Sequence, residues 1–89
     1  MLVEPITIYT GPACPACRRT KMILDDSGLD YREIDVADRP EIVEELRAGG
    51  FAQLPVVFVP GMAPWSGLRP DMLVRVKAAF AQSNEAKAG

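Results

Sequence analysis

Ile6-Thr7-Ile8-Tyr9-Thr10-Gly11-Pro12-Ala13-Cys14-Pro15-Ala16-Cys17 passes from an apolar, β-rich run through a Gly-Pro breaker to the chain's only two cysteines. The residues that follow read as helix. Pro15 suits a first helical position, where its missing N–H would lack a partner anyway. Cys17, Thr20, Ile23, Leu24 and Ser27 share one face at helical spacing, while Arg18, Arg19, Lys21, Asp25 and Asp26 take the other sides. A Cys-x-x-Cys pair at a strand-to-helix junction sets its first sulfur where the unpaired amides of a helix N-terminus point. That placement lowers a thiol pKa and favours a reactive thiolate. No other stretch offers a comparable reaction centre, so this segment decides the reading.

Outward from it, Ile6–Thr10 reads as the first strand and Pro15–Ser27 as the first helix, stopped by Gly28. Tyr31–Val36 alternates enough for a second strand, and Arg32 and Glu33 mark it as incompletely enclosed. Asp38-Arg39-Pro40-Glu41 has the form of a helix start, with Asp38 as cap and Glu41 three residues on. Ile42, Val43 and Leu46 form the expected buried stripe of that helix, which Gly49-Gly50 ends. Val56-Val57-Phe58-Val59 is an uninterrupted apolar run, the pattern of a strand covered on both faces. A turn at Pro60-Gly61 leads to a short fourth strand around Pro64–Ser66. The last helix starts near Pro70-Asp71, with Met72, Leu73, Val76, Ala79 and Phe80 on one face. Residues 82–89 have nothing to bury and read as a loose tail. The order βαβ then ββα predicts an α/β fold, a four-stranded mixed sheet flanked by three helices.

Eighty-nine residues make one domain, and 48% hydrophobic residues with a net charge of -2 describe an ordinary globule. The acidic balance, with a pI near 5.0, argues against nucleic acid as a partner. The longest apolar stretch, Leu54 to Pro64, is too short and too rich in proline to span a bilayer. Met1-Leu2-Val3-Glu4-Pro5 lacks the basic start and long apolar core of a signal peptide, so the expected location is the cytoplasm. Two cysteines are too few for a disulfide framework there, and Cys-x-x-Cys beside a βαβ pattern points to redox chemistry.

With Cys-x-x-Cys at the first strand–helix junction and Leu54-Pro55-Val56 before the third strand, the chain resembles the thioredoxin fold in its small glutaredoxin form. The similarity runs from Ile6 to about Phe80. A narrower one lies in Trp65-Ser66-Gly67-Leu68-Arg69-Pro70-Asp71, which resembles the Trp-Ser-Gly-Phe-Arg-Pro loop of the NrdH-redoxins. These are glutaredoxin-like proteins that supply electrons to class Ib ribonucleotide reductase. Gly50-Phe51-Ala52-Gln53-Leu54-Pro55-Val56-Val57 is similar to the same family's segment. The chain departs from many relatives in carrying Gly11 where they have Lys, and its Pro15-Ala16 dipeptide is closer to the glutaredoxin Cys-Pro-x-Cys.

The resemblance implies a monomeric glutaredoxin/thioredoxin-like domain over residues 1–81, followed by the tail 82–89. It implies a dithiol–disulfide oxidoreductase that needs no cofactor beyond its two sulfurs, with thioredoxin reductase and ribonucleotide reductase as partners. Cys14 is the expected attacking thiolate and Cys17 the resolving thiol, together forming a redox-active disulfide. Two merely packed cysteines are the plain alternative, although polar residues would cap a helix better. A metal- or cluster-binding module is a third reading, but one cysteine pair and no histidine fall short of the usual four ligands, so no metal is expected.

The candidate partner-binding residues are Pro12, Leu54, Pro55, Trp65 and Arg69. By base rate Pro55 is a trans proline opening a strand. The resemblance implies instead a cis Leu54-Pro55 bond beside the disulfide, leaving the backbone of Leu54 free to pair with a substrate strand. Trp65 either plugs the core or belongs to a docking surface. Arg69 either bonds nearby loop carbonyls or stands where glutathione-using glutaredoxins meet the tripeptide's amino group. A cation there, with Gly11 unable to hold a carboxylate, implies weak or no glutathione binding, which separates this reading from the runner-up, a glutathione-dependent glutaredoxin.

Overall fold

Within β1 (Ile6–Thr10), buried Ile6, Ile8 and Thr10 alternate with half-buried Thr7 and Tyr9, as expected of a strand with unlike faces. The computed structural model describes residues 6–88, of which 80–88 by backbone alone. The outer ends of the expected domain and tail, residues 1–5 and Gly89, therefore lie outside the described residues, as does the Phe80 side chain. β2 (Tyr31–Asp35) runs parallel to β1, setting Glu33 opposite Ile8. β3 (Val56–Phe58) runs antiparallel on the other side of β1, with Val57 opposite Ile8, and β4 (Trp65–Ser66) pairs antiparallel with β3. The order β2-β1-β3-β4 is a mixed four-stranded sheet. With α1 (Pro15–Asp26), α2 (Pro40–Ala48) and α3 (Pro70–Ala88) it makes the expected βαβ-ββα fold.

The core forms where α1 and α3 cross one face of the sheet. Leu24 of α1 and Leu73 and Val76 of α3 close over Ile6, Ile8, Val57, Val59 and Trp65. Each large aliphatic side chain so buried contributes roughly 1.5–3 kcal/mol of transfer free energy. Thr20, fully buried on the inner face of α1, donates its hydroxyl hydrogen to the Ala16 carbonyl at 2.9 Å. That bond satisfies a polar group which would otherwise destabilise the core.

Both shorter helices end in the same six-residue geometry. Gly28 and Gly50 take left-handed φ values of 71° and 94°. Leu29 N–H then reaches Leu24 O at 3.1 Å, and Phe51 N–H reaches Leu46 O at 3.0 Å. These bonds satisfy carbonyls a helix end leaves open, and glycine accepts the required φ without a Cβ penalty.

Several elements differ from expectation. The cap of α2 is Arg39, which makes no side-chain capping bond, and Asp38 lies outside the cap position. Pro40 fills the first helical position and fixes the start, while the Asp35 carboxylate accepts the Ala37 N–H at 2.8 Å in the preceding turn. Ile42, Val43 and Leu46 are half-buried rather than buried, because this helix of 9 residues covers its sheet face incompletely. Phe58 consequently stays exposed, its ring edge-on to Tyr9 and Phe51 at centroid distances of 5.7 and 6.0 Å. The helix α3 also continues to Ala88 through residues read as a loose tail, and Ala79 on its expected inner face is exposed. Ala81, Gln82, Glu85, Ala86, Lys87 and Ala88 are strong helix formers, so local propensity favours the continued helix. Among the described residues no helix is long and apolar enough to cross a membrane.

Glu33 ties three elements together. Its carboxylate accepts hydrogen bonds from Lys21 of α1 at 2.9 Å and from the buried Thr10 hydroxyl at 2.8 Å. The Lys21 bond first, and the Thr10 bond next, hold the carboxyl below the usual glutamate pKa. A depressed carboxyl adds stability above its unfolded pKa and loses it as the pH falls through the folded value. Glu33→Gln is therefore expected to be less stable than the native chain at neutral pH, by no more than about 1 kcal/mol for an exposed pair. The gap should close at acid pH, and urea denaturation of both proteins across the acidic range checks it. A gap that stays constant or widens on acidification would contradict the assignment.

Candidate functional site

The site is built on four residues between two anchored ends. On one side Thr10, the last residue of β1, accepts the Val36 N–H on its carbonyl at 2.9 Å and is only 2% exposed. On the other, α1 begins at Pro15 and is held by the core contacts of Leu24. Gly11, Pro12, Ala13 and Cys14 span the gap. Ala13 takes a left-handed φ of 51°, a conformation that costs an alanine on the order of 1–2 kcal/mol. Strain of this kind persists only where the surroundings hold it, and here it turns Cys14 into the capping position.

Cys14 is the N-cap of α1 in extended geometry, and its sulfur accepts the Cys17 N–H at 3.1 Å. Sulfur thus does what a serine or aspartate oxygen usually does at this position. Pro15 removes one amide that would otherwise need a partner, and Arg18 N–H closes the first helical bond to Cys14 O at 3.1 Å. The two cysteines are joined as a disulfide, their Cα atoms 5.2 Å apart. Cys14 is half-buried at the surface, whereas Cys17 faces the core and is 2% exposed. One sulfur is accessible and the other shielded. The arrangement suits thiol–disulfide exchange, in which the outer sulfur attacks as a thiolate, or is attacked while in a disulfide, and the inner one closes the ring.

A second segment completes the site from across the sequence. The Leu54-Pro55 bond is cis, as the resemblance implies, and Pro55 is fully buried. Leu54 O lies 3.9 Å from Cys14 Sγ. Among the described residues, neither the N–H nor the C=O of Leu54 has a backbone partner in the fold. Two unpaired strand-type groups beside a sulfur form a short edge able to accept an extended peptide. A groove of about 170 Å³ adjoins this edge, lined by Val43, Leu46, Phe51 and Leu54 among others.

The remaining candidates are Pro12, Trp65 and Arg69. Pro12 is exposed in the loop before Cys14. Trp65 is 5% exposed and belongs to the core, its indole N–H buried without a hydrogen-bond partner among the described residues. The loop it begins exposes Leu68, and Leu68 with Pro15, Ala16, Arg19, Ile23 and Pro70 borders an open groove along the start of α1. Among the described residues the Arg69 side chain bonds no loop carbonyl. Its guanidinium donates two hydrogen bonds to Asp71, Nε to Oδ1 at 3.1 Å and Nη2 to Oδ2 at 2.9 Å. The pairing raises the arginine pKa and lowers that of Asp71. Both groups are exposed, so solvent screens the pair. Sequence reasoning missed this partnership, although Arg and Asp two apart across a proline were its visible signal. It also missed the Ala13 strain, for which no local signal exists. Among the described residues no cluster of three or more potential ligands could hold a metal.

The family model for glutaredoxin matches residues 6–62. The chain is 49% identical over 74 residues to the glutaredoxin-like protein NrdH of Escherichia coli strain K12, covering 83% of this chain and 90% of that protein. It is 44% identical over 71 residues to NrdH of Salmonella typhimurium, covering 80% and 86%. Among solved structures, the E. coli NrdH-redoxin superposes with a TM-score of 0.75 at 47% identity, over 81% of this chain and 93% of that one. Glutaredoxin from Brucella melitensis superposes with a TM-score of 0.64 at 29% identity, over 92% and 87%. A capped, half-exposed disulfide in this fold, shared with such relatives, is that of a thiol–disulfide oxidoreductase, and the chain belongs to the glutaredoxin family as an NrdH-like redoxin.

Proposed function

We propose that the chain is a cytoplasmic protein-disulfide reductase, reduced by thioredoxin reductase and passing electrons to class Ib ribonucleotide reductase. The observation that carries the chemistry is the Cys14 sulfur at the N-cap, bonded by the Cys17 amide and facing the unpaired backbone of Leu54. The partners rest on similarity to NrdH proteins, the E. coli member being known for a thioredoxin-like activity profile.

In the reduced protein the Cys14 thiolate attacks one sulfur of a client disulfide. A mixed disulfide forms and the client's other sulfur leaves as a thiolate. Cys17 then gives up its proton and attacks the Cys14 sulfur, releasing the second client thiolate. Two electrons have passed to the client, and Cys14 and Cys17 are left as the disulfide. Thioredoxin reductase reverses the change with electrons from NADPH. Throughout, Leu54 and Pro55 hold the client strand against Cys14, Pro12 and Arg69 border the contact, and Trp65 supports the loop that presents Leu68 and Arg69.

Stabilising the thiolate is the task of the helix end. Moving a thiol from a pKa of about 8.5 to about 7 requires some 2 kcal/mol. About half a positive charge at the N-terminus, together with one amide hydrogen bond to the sulfur, is of that size. Alkylation of the reduced protein by iodoacetamide should therefore titrate at Cys14 with a midpoint below that of an ordinary thiol, with Cys17 reacting far more slowly. An ordinary midpoint above 8 would remove the basis for catalysis.

Glutathione fits the site poorly. Gly11 carries no cation, and by resemblance to glutathione-using glutaredoxins Arg69 lies in the region that meets the tripeptide's cationic amino group, with Asp71 already engaged by the arginine. NADPH oxidation with insulin as the disulfide should proceed with thioredoxin reductase and be at least tenfold slower with glutathione and glutathione reductase, a gap of about 1.4 kcal/mol. Turnover confined to the glutathione system would establish the runner-up instead. In the productive system Cys14→Ser should abolish turnover. Cys17→Ser should stall as a mixed disulfide visible on non-reducing gels, and full turnover by that variant would refute the resolving role.

A further inference from the structure

We propose that Gly11 is a specificity-determining residue that acts through Leu54. By carrying no side chain it seats the Leu54 side chain against the loop of Cys14, and so holds the Leu54 backbone where a client strand pairs with it. This rests on the protein-disulfide reading above.

A Cβ placed on Gly11 would fall 2.9 Å from Leu54 Cδ1, closer than real carbon contacts come. The Leu54 methyl group occupies the space that any side chain at position 11 would need. Backbone geometry offers no other reason for glycine here. Gly28, Gly50, Gly61 and Gly67 all take left-handed φ values, and Gly11 is not among them. In this chain, with Leu54 seated as it is, position 11 has no room for a Cβ.

The neighbouring loop residues are seated in a related way. A Cβ on Gly67 would fall 2.8 Å from Gln53 Oε1, and Gly67 N–H donates to Pro55 O at 2.8 Å. The segment Gln53-Leu54-Pro55 therefore rests on Gly67 through its two ends and on Gly11 through its middle. Leu54 is also the residue whose unpaired backbone flanks Cys14, with its carbonyl 3.9 Å from Sγ. Its side chain forms part of the wall of the groove shared with Val43, Leu46 and Phe51. At about 170 Å³ that groove is smaller than a small-molecule site, which needs roughly 300 Å³ or more, and it suits one side chain of a bound strand.

The atom a larger residue 11 would displace is the end of a flexible side chain. Substitution should therefore cost little folding stability and instead swing Leu54 out of its seat, toward Cys14 or into the groove. A protein strand that pairs with Leu54 senses this strongly. A small symmetric disulfide, which needs only the Cys14 sulfur, senses it less.

The test is a double-mutant cycle with Gly11→Ala and Leu54→Val, since valine lacks a Cδ1 to displace. Pre-reduced native and variant proteins are mixed with insulin and, separately, with hydroxyethyl disulfide, and the second-order rate constants are measured along with thermal unfolding. Gly11→Ala is expected to slow insulin reduction about five- to tenfold, the worth of one well-placed backbone hydrogen bond, with a clearly smaller loss on hydroxyethyl disulfide. In the Leu54→Val background the same substitution should cost less than about twofold. Equal losses in both backgrounds, equal losses on both disulfides, or no loss at all would overturn the inference. A native protein unable to reduce insulin would instead defeat the functional reading on which it stands.

Discussion

The Cys14 sulfur accepts the Cys17 amide because α1 can begin nowhere else. Pro15 supplies no N–H and prefers the first helical position, so the residue before it must be the cap. A sulfur in that place becomes the acceptor for an amide that would otherwise stay unpaired. The same bond that completes the helix lays the helix dipole on the sulfur. Local structure and reactivity are therefore one interaction seen twice. The strained Ala13, the anchored Thr10 and the inward turn of Cys17 all serve to hold this cap.

The second half of the site comes from a distant part of the chain, and its position depends on the sheet. β3 lies beside β1, so the segment leading into Val56 arrives next to the loop leaving Thr10. Pro55 is buried at this meeting point, and Gly67, following the short β4, fixes its carbonyl. Three loops thus converge at one end of the sheet, each tied to a strand of the rigid core. Such an arrangement combines a stiff frame with exposed, unpaired backbone, which is what recognition of an extended chain requires.

Much of this was legible in the residues because the signals are local. The alternation of Ile6 to Thr10, the Gly-Pro break, the helical spacing of Cys17, Thr20 and Leu24, and the glycine stops all act within one or two turns of chain. Errors arose where local rules compete or where packing partners are remote. Asp38 has the look of a cap, but the proline two residues later fixes the start of α2 and leaves that aspartate outside. The run Val56–Val59 promised cover on both faces, yet α2 is too short to shield Phe58. The extension of α3 follows helix propensity, which apolar periodicity does not register. Within the site, the cysteine pair was plain and the resemblance supplied the cis proline. The Gly11–Leu54 contact could not be read, because nothing in either stretch names the other.

The burial of Cys17 also bears on the order of events in the proposed cycle. A thiol shielded from water holds its proton more tightly than an exposed one, because the charged form loses solvation. In the proposed cycle the accessible Cys14 therefore meets the client first, and the shielded Cys17 follows. Once the mixed disulfide forms, the two cysteines remain within reach, their Cα atoms 5.2 Å apart in the oxidised state. Intramolecular attack at such range enjoys effective concentrations that can reach about 10⁵ M or more, against which a modest cost of deprotonation is small. The difference in exposure between two sulfurs separated by one helical turn is thus what, in the proposed cycle, assigns the outer one to receive the client and the inner one to release it.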